Sequence, residues 1–196
     1  MKKGVIVLIV IAILALILYL AGKGSYNNMV TKQEGVNAQW ANVENQYQRR
    51  ADLIPNLVNT VKGYAAHEQE TLEGVMEARS KATQIQLNAD QLTPEALQQY
   101  NAAQGELSSA LGRLMAVAEA YPDLKANQNF RDLQVQLEGT ENRISTERRK
   151  FNETAQDYNQ YIRQFPRMIF AKWFNFDPVA YFQAEPGSEK APEVTF

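Results

Sequence analysis

Hydrophobic positions divide the chain into one unbroken apolar stretch and one long periodic stretch. Residues 4–22 carry no charged side chain and are mostly Val, Ile, Leu and Ala. Beyond residue 25 the chain is polar, and apolar residues return every three or four positions, as in amphipathic helices. No segment has the alternation of a strand. The pattern predicts an all-α protein, in which a single N-terminal transmembrane helix precedes an elongated antiparallel four-helix bundle.

The apolar stretch is long enough to span a bilayer, which makes the lipid bilayer the first expected partner. At about 1.5 Å per residue, residues 4–22 reach about 28 Å, close to the hydrocarbon thickness of roughly 30 Å. The alternative is a secretory signal peptide, whose apolar region is typically about 7–15 residues and ends at a small-x-small cleavage site. A cut after Ala21 would place the bulky Tyr19 at the −3 position. We therefore predict a retained anchor after a short basic N-terminus, residues 1–3.

The charges beside the anchor bear on its orientation. Lys2, Lys3 and the α-amino group lie before it, and Lys23 and Lys32 follow it. The positive-inside tendency favours a cytoplasmic N-terminus and an external bundle, although the difference in charge is small.

Four helices are predicted within residues 25–165, at about 26–66, 68–88, 94–120 and 124–165. Thr93-Pro94-Glu95 has the N-cap, first-turn proline and first-turn acid of a helix start, and Tyr121-Pro122-Asp123 separates the third helix from the fourth. The first and fourth helices are long and the other two are shorter. With an even number of helices, the chain leaves the membrane in the first and returns in the fourth.

Pro55 lies in the first periodic stretch and permits two interpretations. It removes an amide donor, so inside a helix it favours a kink. Alternatively the helix breaks near Asp52, and Pro55 is an early residue of the second helix. We favour the kink.

Two arginines fall among the core positions of the long helices. If these helices pair with residue numbers that add up to about 191, as an antiparallel arrangement permits, Arg50 lies beside Glu141 and Glu44 beside Arg148. An isolated buried charge is strongly disfavoured, so paired acids would be needed. The hypothesis is that these four residues form a structural polar layer. The alternative is that both arginines extend from the rim to water.

Several strings resemble the signature of the bacterial LemA family. They are YQRRADLIPNLV (47–58), TVKGY (60–64), YPDL (121–124) and LEGTENRI (137–144), and the resemblance runs from about Asn27 to Tyr181. It implies a membrane-anchored four-helix bundle of the bacterial cell (inner) membrane, without known enzymatic chemistry. It also implies relatives in magnetosome membrane formation and genes that are often encoded near a membrane metalloprotease.

Composition offers little to a catalytic or nucleic-acid-binding interpretation. The net charge is −2, without the basic excess that nucleic-acid binding usually needs, and there is no cysteine. His67-Glu68 resembles part of a zinc-protease motif, but Thr71 stands where the second histidine belongs, which favours a polar turn. No catalytic serine motif, phosphate loop or dinucleotide fingerprint occurs. We predict no enzyme activity and no catalytic, cofactor or metal site.

Residues 166–183 and the preceding Phe165 are rich in aromatic and basic side chains, namely Phe165, Arg167, Phe170, Lys172, Trp173, Phe174 and Phe176. If the fourth helix returns to the bilayer, this segment arrives near the lipid headgroups, which such side chains favour. The hypothesis is contact with the membrane surface or a neighbouring subunit. The alternative is that the aromatic rings fold back and seal the bundle. Residues 184–196 are expected to be a disordered tail.

The sequence thus favours a scaffold or interaction protein of the bacterial envelope, with self-association as one way to work. The alternative is an adaptor or partner of a membrane metalloprotease in envelope quality control, which rests on the family resemblance alone.

Overall fold

A computed structural model describes residues 2–183 of the protein, and within this range the chain is all-helical with no strand. The all-α prediction is confirmed. The expected disordered tail at 184–196 lies outside the described residues. The elements are α1 (Lys2–Lys62), α2 (Gln69–Gln84), a 3-10 turn (Ala89–Gln91), α3 (Pro94–Glu119), α4 (Pro122–Ala126), α5 (Gln128–Arg163) and α6 (Arg167–Trp173).

The anchor and the first bundle helix form one continuous helix, where separate helices at 4–22 and about 26–66 were expected. Its 61 residues span about 90 Å at about 1.5 Å per residue. Gly22 and Gly24 each weaken a helix by only about 1 kcal/mol, which is too little to break one that continues on both sides. Pro55 lies inside α1, so the helix does not break near Asp52.

The apolar part of α1 before Gly22 has no buried residue within the described part of the chain. The side chains from Val5 to Leu20 are exposed, while Met29 is buried and, from Val36 onward, buried residues recur every three or four positions. One helix therefore changes its surroundings near Gly22, from an apolar surface without protein neighbours to a protein core. The apolar part is long enough to cross a membrane.

The long helices α1 and α5 run antiparallel and pair along most of the length of α5. Trp40 meets Phe151 with ring centroids 5.6 Å apart, and Arg50 donates a hydrogen bond to Glu141. Both pairs lie in the expected register. α2 and α3 pack on each other, and α2 packs on the far half of α1.

Buried side chains form two separate clusters along this assembly. The far cluster contains Ile54 of α1, Leu107 of α3 and Leu137 of α5, with most of the buried residues of α2. The near cluster, toward the membrane end, contains Tyr47 of α1, Tyr100 of α3 and Ile144 of α5. On each of these three helices, the residue named for one cluster and the residue named for the other are two helical turns apart. The boundary between the clusters lies between them.

The connections differ in detail from the expected boundaries. The expected fourth helix at 124–165 is two helices, because Asn127 leaves the helical conformation and its Oδ1 accepts the Phe130 N–H at 3.0 Å, which starts α5 anew. α2 ends at Gln84 rather than near 88, since the Trp40 indole N–H donates to the Leu87 carbonyl at 2.8 Å and draws the chain out of the helix. Thr93 caps α3 as its sequence predicts.

Two valines test whether α2 is packed on the core. Val75 of α2 is 0% exposed and Val135 of α5 is 67% exposed. We expect Val75→Ala to lower the free energy of unfolding by roughly 2 kcal/mol through lost burial and a cavity. Val135→Ala should be neutral or slightly stabilising, because alanine is the better helix former. Denaturant unfolding followed by circular dichroism measures both, and equal effects would contradict the packing of α2.

Candidate functional site

The boundary between the two core clusters is occupied by the guanidinium group of Arg50. Arg50 is 1% exposed, so it does not extend to water. Its Nη1 donates to Glu141 Oε1 at 2.7 Å and to Ser108 Oγ at 2.9 Å. Its Nη2 donates to the Gln104 side-chain oxygen. One side chain of α1 thereby binds two residues of α3 and one of α5.

Gln104 extends this network to the remaining helix. Its Nε2 donates to the carbonyl of Ala82 in α2 at 3.3 Å, while its Oε1 accepts from Arg50. All four helices of the two packed pairs are therefore joined through one charged group. We call Arg50, Gln104, Ser108 and Glu141 the polar layer.

The polar layer compensates most of the cost of burying the arginine. The carboxylate of Glu141 is about half exposed, so only one of the two charges is fully removed from water. The ring of Tyr47 lies 5.2 Å from the guanidinium carbon, which adds a cation–π contact. Within residues 2–183, Arg50 Nε has no hydrogen-bond acceptor. Our hypothesis is that this ion pair, buried on the arginine side, favours one arrangement of the helices more than it adds stability.

The second expected pair, Glu44 with Arg148, does not form an ion pair within residues 2–183. The guanidinium of Arg148 lies 4.7 Å from the centroid of the Phe182 ring and donates to the Gln183 carbonyl. The prediction of a four-residue layer was wrong for this pair, because the returning C-terminal segment draws Arg148 away. Partial burial raises the pKa of Glu44, with a smaller opposing effect from the Trp40 side chain.

Sequence reasoning missed Gln104 and Ser108. A signal for Gln104 was present, since it occupies a core position of α3 between Tyr100 and Leu107. A polar residue at such a position needs a buried partner. Ser108 gave no comparable signal. A serine in a helix can donate its hydroxyl to the carbonyl four residues earlier, as Ser108 does to Gln104, so its presence does not indicate a partner on another helix.

The tyrosines around the layer are held in their neutral form. Burial is the main cause that raises the pKa of Tyr47, against smaller effects of Arg148 and Arg50 that lower it. Burial also raises the pKa of Tyr100 far above its usual value. Neither phenol is therefore suited to exchange protons near neutral pH.

The C-terminal segment meets α1 where its apolar stretch ends. Ala171 of α6 is buried, and a Cβ on Gly22 would lie only 3.2 Å from Phe170 Cε1. Phe174 and Phe176 place their ring edges against Tyr26, at centroid distances of 5.0 and 5.7 Å. Glycine at position 22 thus permits the close approach of α6.

Beyond α6, two asparagines of α5 hold the chain in an extended conformation. Asn159 accepts from the Val179 N–H and donates to the Val179 carbonyl, both at 2.8 Å. Asn152 makes the same pair of bonds with Phe182, at 2.8 and 2.9 Å. Residues 177–182 therefore form a strap along α5, which no sequence feature had indicated.

The predicted aromatic and basic residues divide into two groups. Phe176 and the strap residue Phe182 are buried, and Phe182 stacks on Trp40 with centroids 5.9 Å apart. Phe165 and Trp173 are 80% and 73% exposed, and Lys172 is exposed as well. One part of the segment seals the bundle, and the other part faces outward.

His67 lies exposed in the turn between α1 and α2. Its neighbour Glu68 accepts a hydrogen bond from the Tyr121 hydroxyl at 3.0 Å, which ties this turn to the one before α4. In the part of the chain from 2 to 183, no three His, Asp or Glu side chains lie close enough to hold a metal ion.

The profile of the LemA family matches residues 39–196, which include the polar layer, the strap and α6. The chain belongs to the LemA family. The matched residues include the later part of α1 and every helix that follows it.

Relatives in this family include two kinds of named protein. Magnetosome protein MamQ 2 of Paramagnetospirillum magneticum is 29% identical over 96% of this chain and 75% of its own length. Magnetosome protein MamQ of Magnetospirillum gryphiswaldense is 29% identical over 87% and 68%. Protein LemA of Metamycoplasma hominis is 26% identical over 86% and 73%.

Arg50 and its exposed neighbour Arg49 give a matched test of the polar layer. We expect Arg50→Ala to lower the free energy of unfolding by about 2–4 kcal/mol, because the buried Gln104 loses its partner and a cavity replaces the arginine side chain. Arg49→Ala should change it by less than about 0.5 kcal/mol. Arg50→Met, which fills the space without a charge, should restore most of the loss. Thermal melts of the full chain in detergent would contradict the layer if Arg50→Ala behaved like Arg49→Ala.

Two glycines test the docking of α6. A Cβ at Gly24 meets nothing within 4 Å, unlike one at Gly22. In a chain that carries Ala171→Cys as its only thiol, Gly22→Leu should strain the contact by about 1–3 kcal/mol and speed maleimide labelling roughly 5- to 150-fold. Gly24→Leu should leave the labelling rate unchanged. Equal rates in the two variants would exclude the close contact of Phe170 with α1.

Proposed function

We propose that this LemA-family protein is a non-enzymatic, membrane-anchored scaffold of the bacterial cell envelope. The observation that carries the proposal is the continuity of α1 from its lipid-length stretch into the core. No flexible joint separates the two, so the anchor fixes the direction of everything packed on it. We call the part of α1 from Lys23 to Lys62, with the helices packed on it, the rod. It extends about 60 Å from the bilayer.

The polar layer supports the same role. A scaffold has to keep one shape while partners bind along it, and Arg50 penalises any slippage of the helices that would leave its charge unpaired. The buried phenols point in the same direction, since burial keeps the pKa of Tyr158 at about 12, as it keeps those of Tyr47 and Tyr100 raised. These groups favour structure over acid–base chemistry.

The named relatives support a location at a membrane. Two of those compared are magnetosome proteins by name. From these relatives we take only the association with a membrane as part of the proposal for this chain. We propose that the membrane is the inner membrane. The positive-inside tendency favours a cytoplasmic N-terminus and a rod on the outer side.

Site-specific photo-cross-linking in native membranes tests the scaffold. A photoreactive residue at Met76 or at Val135, both exposed on the rod, should give ladders of covalent oligomers of this chain. The same residue at the buried Val75 is the matched control, which can reach only its own chain. Protease added to spheroplasts, whose outer barrier is opened while the inner membrane stays sealed, should degrade the cross-linked rods, since the rod is expected on the outer side of that membrane.

The pattern of products decides between the proposed roles. Capture of a membrane metalloprotease, without self-contacts at either exposed position, would overturn the scaffold in favour of the adaptor. Protection of the rods in spheroplasts with a sealed inner membrane would overturn the orientation.

A further inference from the structure

The outward face of α6 is apolar where an aqueous surface would favour polar side chains. At about 100° per residue, Met168, Ile169, Lys172 and Trp173 fall within an arc of about 140°. All four are exposed. The opposite arc carries Phe170 and Ala171, which pack against α1 and the near cluster. The helix is therefore apolar on both sides, and only one side is covered by protein.

The position of α6 along α1 indicates what covers the other side. Phe170 contacts Gly22, the last residue of the uncharged stretch, and Lys23 next to it is the first charge. Phe174 contacts Tyr26, one turn further on. α6 thus lies at the level where α1 leaves the hydrocarbon.

The nearby charges match an anionic lipid surface. Lys23, Arg163 and Lys172 are exposed around α6, and Arg167 lies over the Tyr161 ring at 4.2 Å. In the described part of the chain, no carboxylate forms an ion pair with any of these four residues. Trp and basic side chains are the pair of residue types that favour the headgroup region. Basic residues near an anionic bilayer add to that preference.

We propose that α6 and the preceding Phe165 form an interfacial foot, which inserts its outward face among the headgroups of an anionic bilayer. The foot gives the rod a second attachment to one side of α1. Two attachments define a tilt and a rotation, which a single spanning helix leaves free. This inference rests on the membrane anchor in the proposed function and is independent of self-association.

Tryptophan fluorescence of the full chain tests the foot. The chain has two tryptophans, and Trp40 is buried in the near cluster while Trp173 is 73% exposed. The difference between the wild type and Trp173→Phe isolates the outer residue. In nanodiscs with phosphatidylglycerol that hold one chain each, this difference signal should be blue-shifted and quenched by lipids with a nitroxide near the headgroup. Acrylamide, a neutral quencher, should quench it at least about twofold less than in denaturant, as for a ring in the interface.

The number of chains in each disc shows whether lipid or a second chain covers the outward face of α6. Shielding of Trp173 in single-chain discs supports the foot. Shielding that needs two chains in a disc would overturn it in favour of a subunit contact. Acrylamide access equal to that of a free indole would overturn it as well. The scaffold test does not share these outcomes, because a chain alone in a disc cannot self-associate.

A charge reversal tests the role of the headgroups. Lys172→Glu should raise the access of acrylamide, a neutral quencher, to Trp173 in anionic discs, since each basic residue near such a surface strengthens local binding by roughly fivefold. Lys62→Glu is the matched control, because it makes the same change at the exposed far end of α1 and should leave access unchanged. No difference between the two variants would overturn the assignment to anionic lipid.

Discussion

A buried guanidinium group cannot remain without partners, and this constraint governs the arrangement of the helices. Arg50 finds its partners on α3 and α5, and Gln104 carries the network to α2. Hydrophobic contacts alone would tolerate helices shifted by one turn, because similar side chains recur along each of them. The polar layer excludes such shifts, since each would leave a charge or an amide buried without a partner.

The second constraint is that one helix serves two environments. Up to Leu20, α1 presents apolar side chains on all sides, and from Met29 onward it presents them on one side only. The change occurs without a loop, so the geometry of the core is transmitted to the anchor. Gly22 lies at this change, where the absence of a side chain lets α6 approach.

The parts that the sequence predicted are those that depend on periodicity and length. The helical class, the apolar span and the pairing of Arg50 with Glu141 follow from positions that repeat along α1 and α5. The strap along α5 could not be predicted, because it depends on two asparagines that meet backbone groups 20 and 30 residues away. The separation of α4 from α5 by Asn127 was missed because a local cap outweighed a continuous apolar pattern.

The strap also determines the height on the rod of Gln183, the last residue that the structure describes. Phe182 is fixed against Trp40, eighteen helical residues beyond Gly22, so Gln183 departs about 25 Å above the end of the span. The chain runs along α5 to the level of Gly22 and then returns along the same helix as far as Gln183. A label on the exposed Gln183 side chain would therefore lie at mid-height of the rod and not at the level of Gly22.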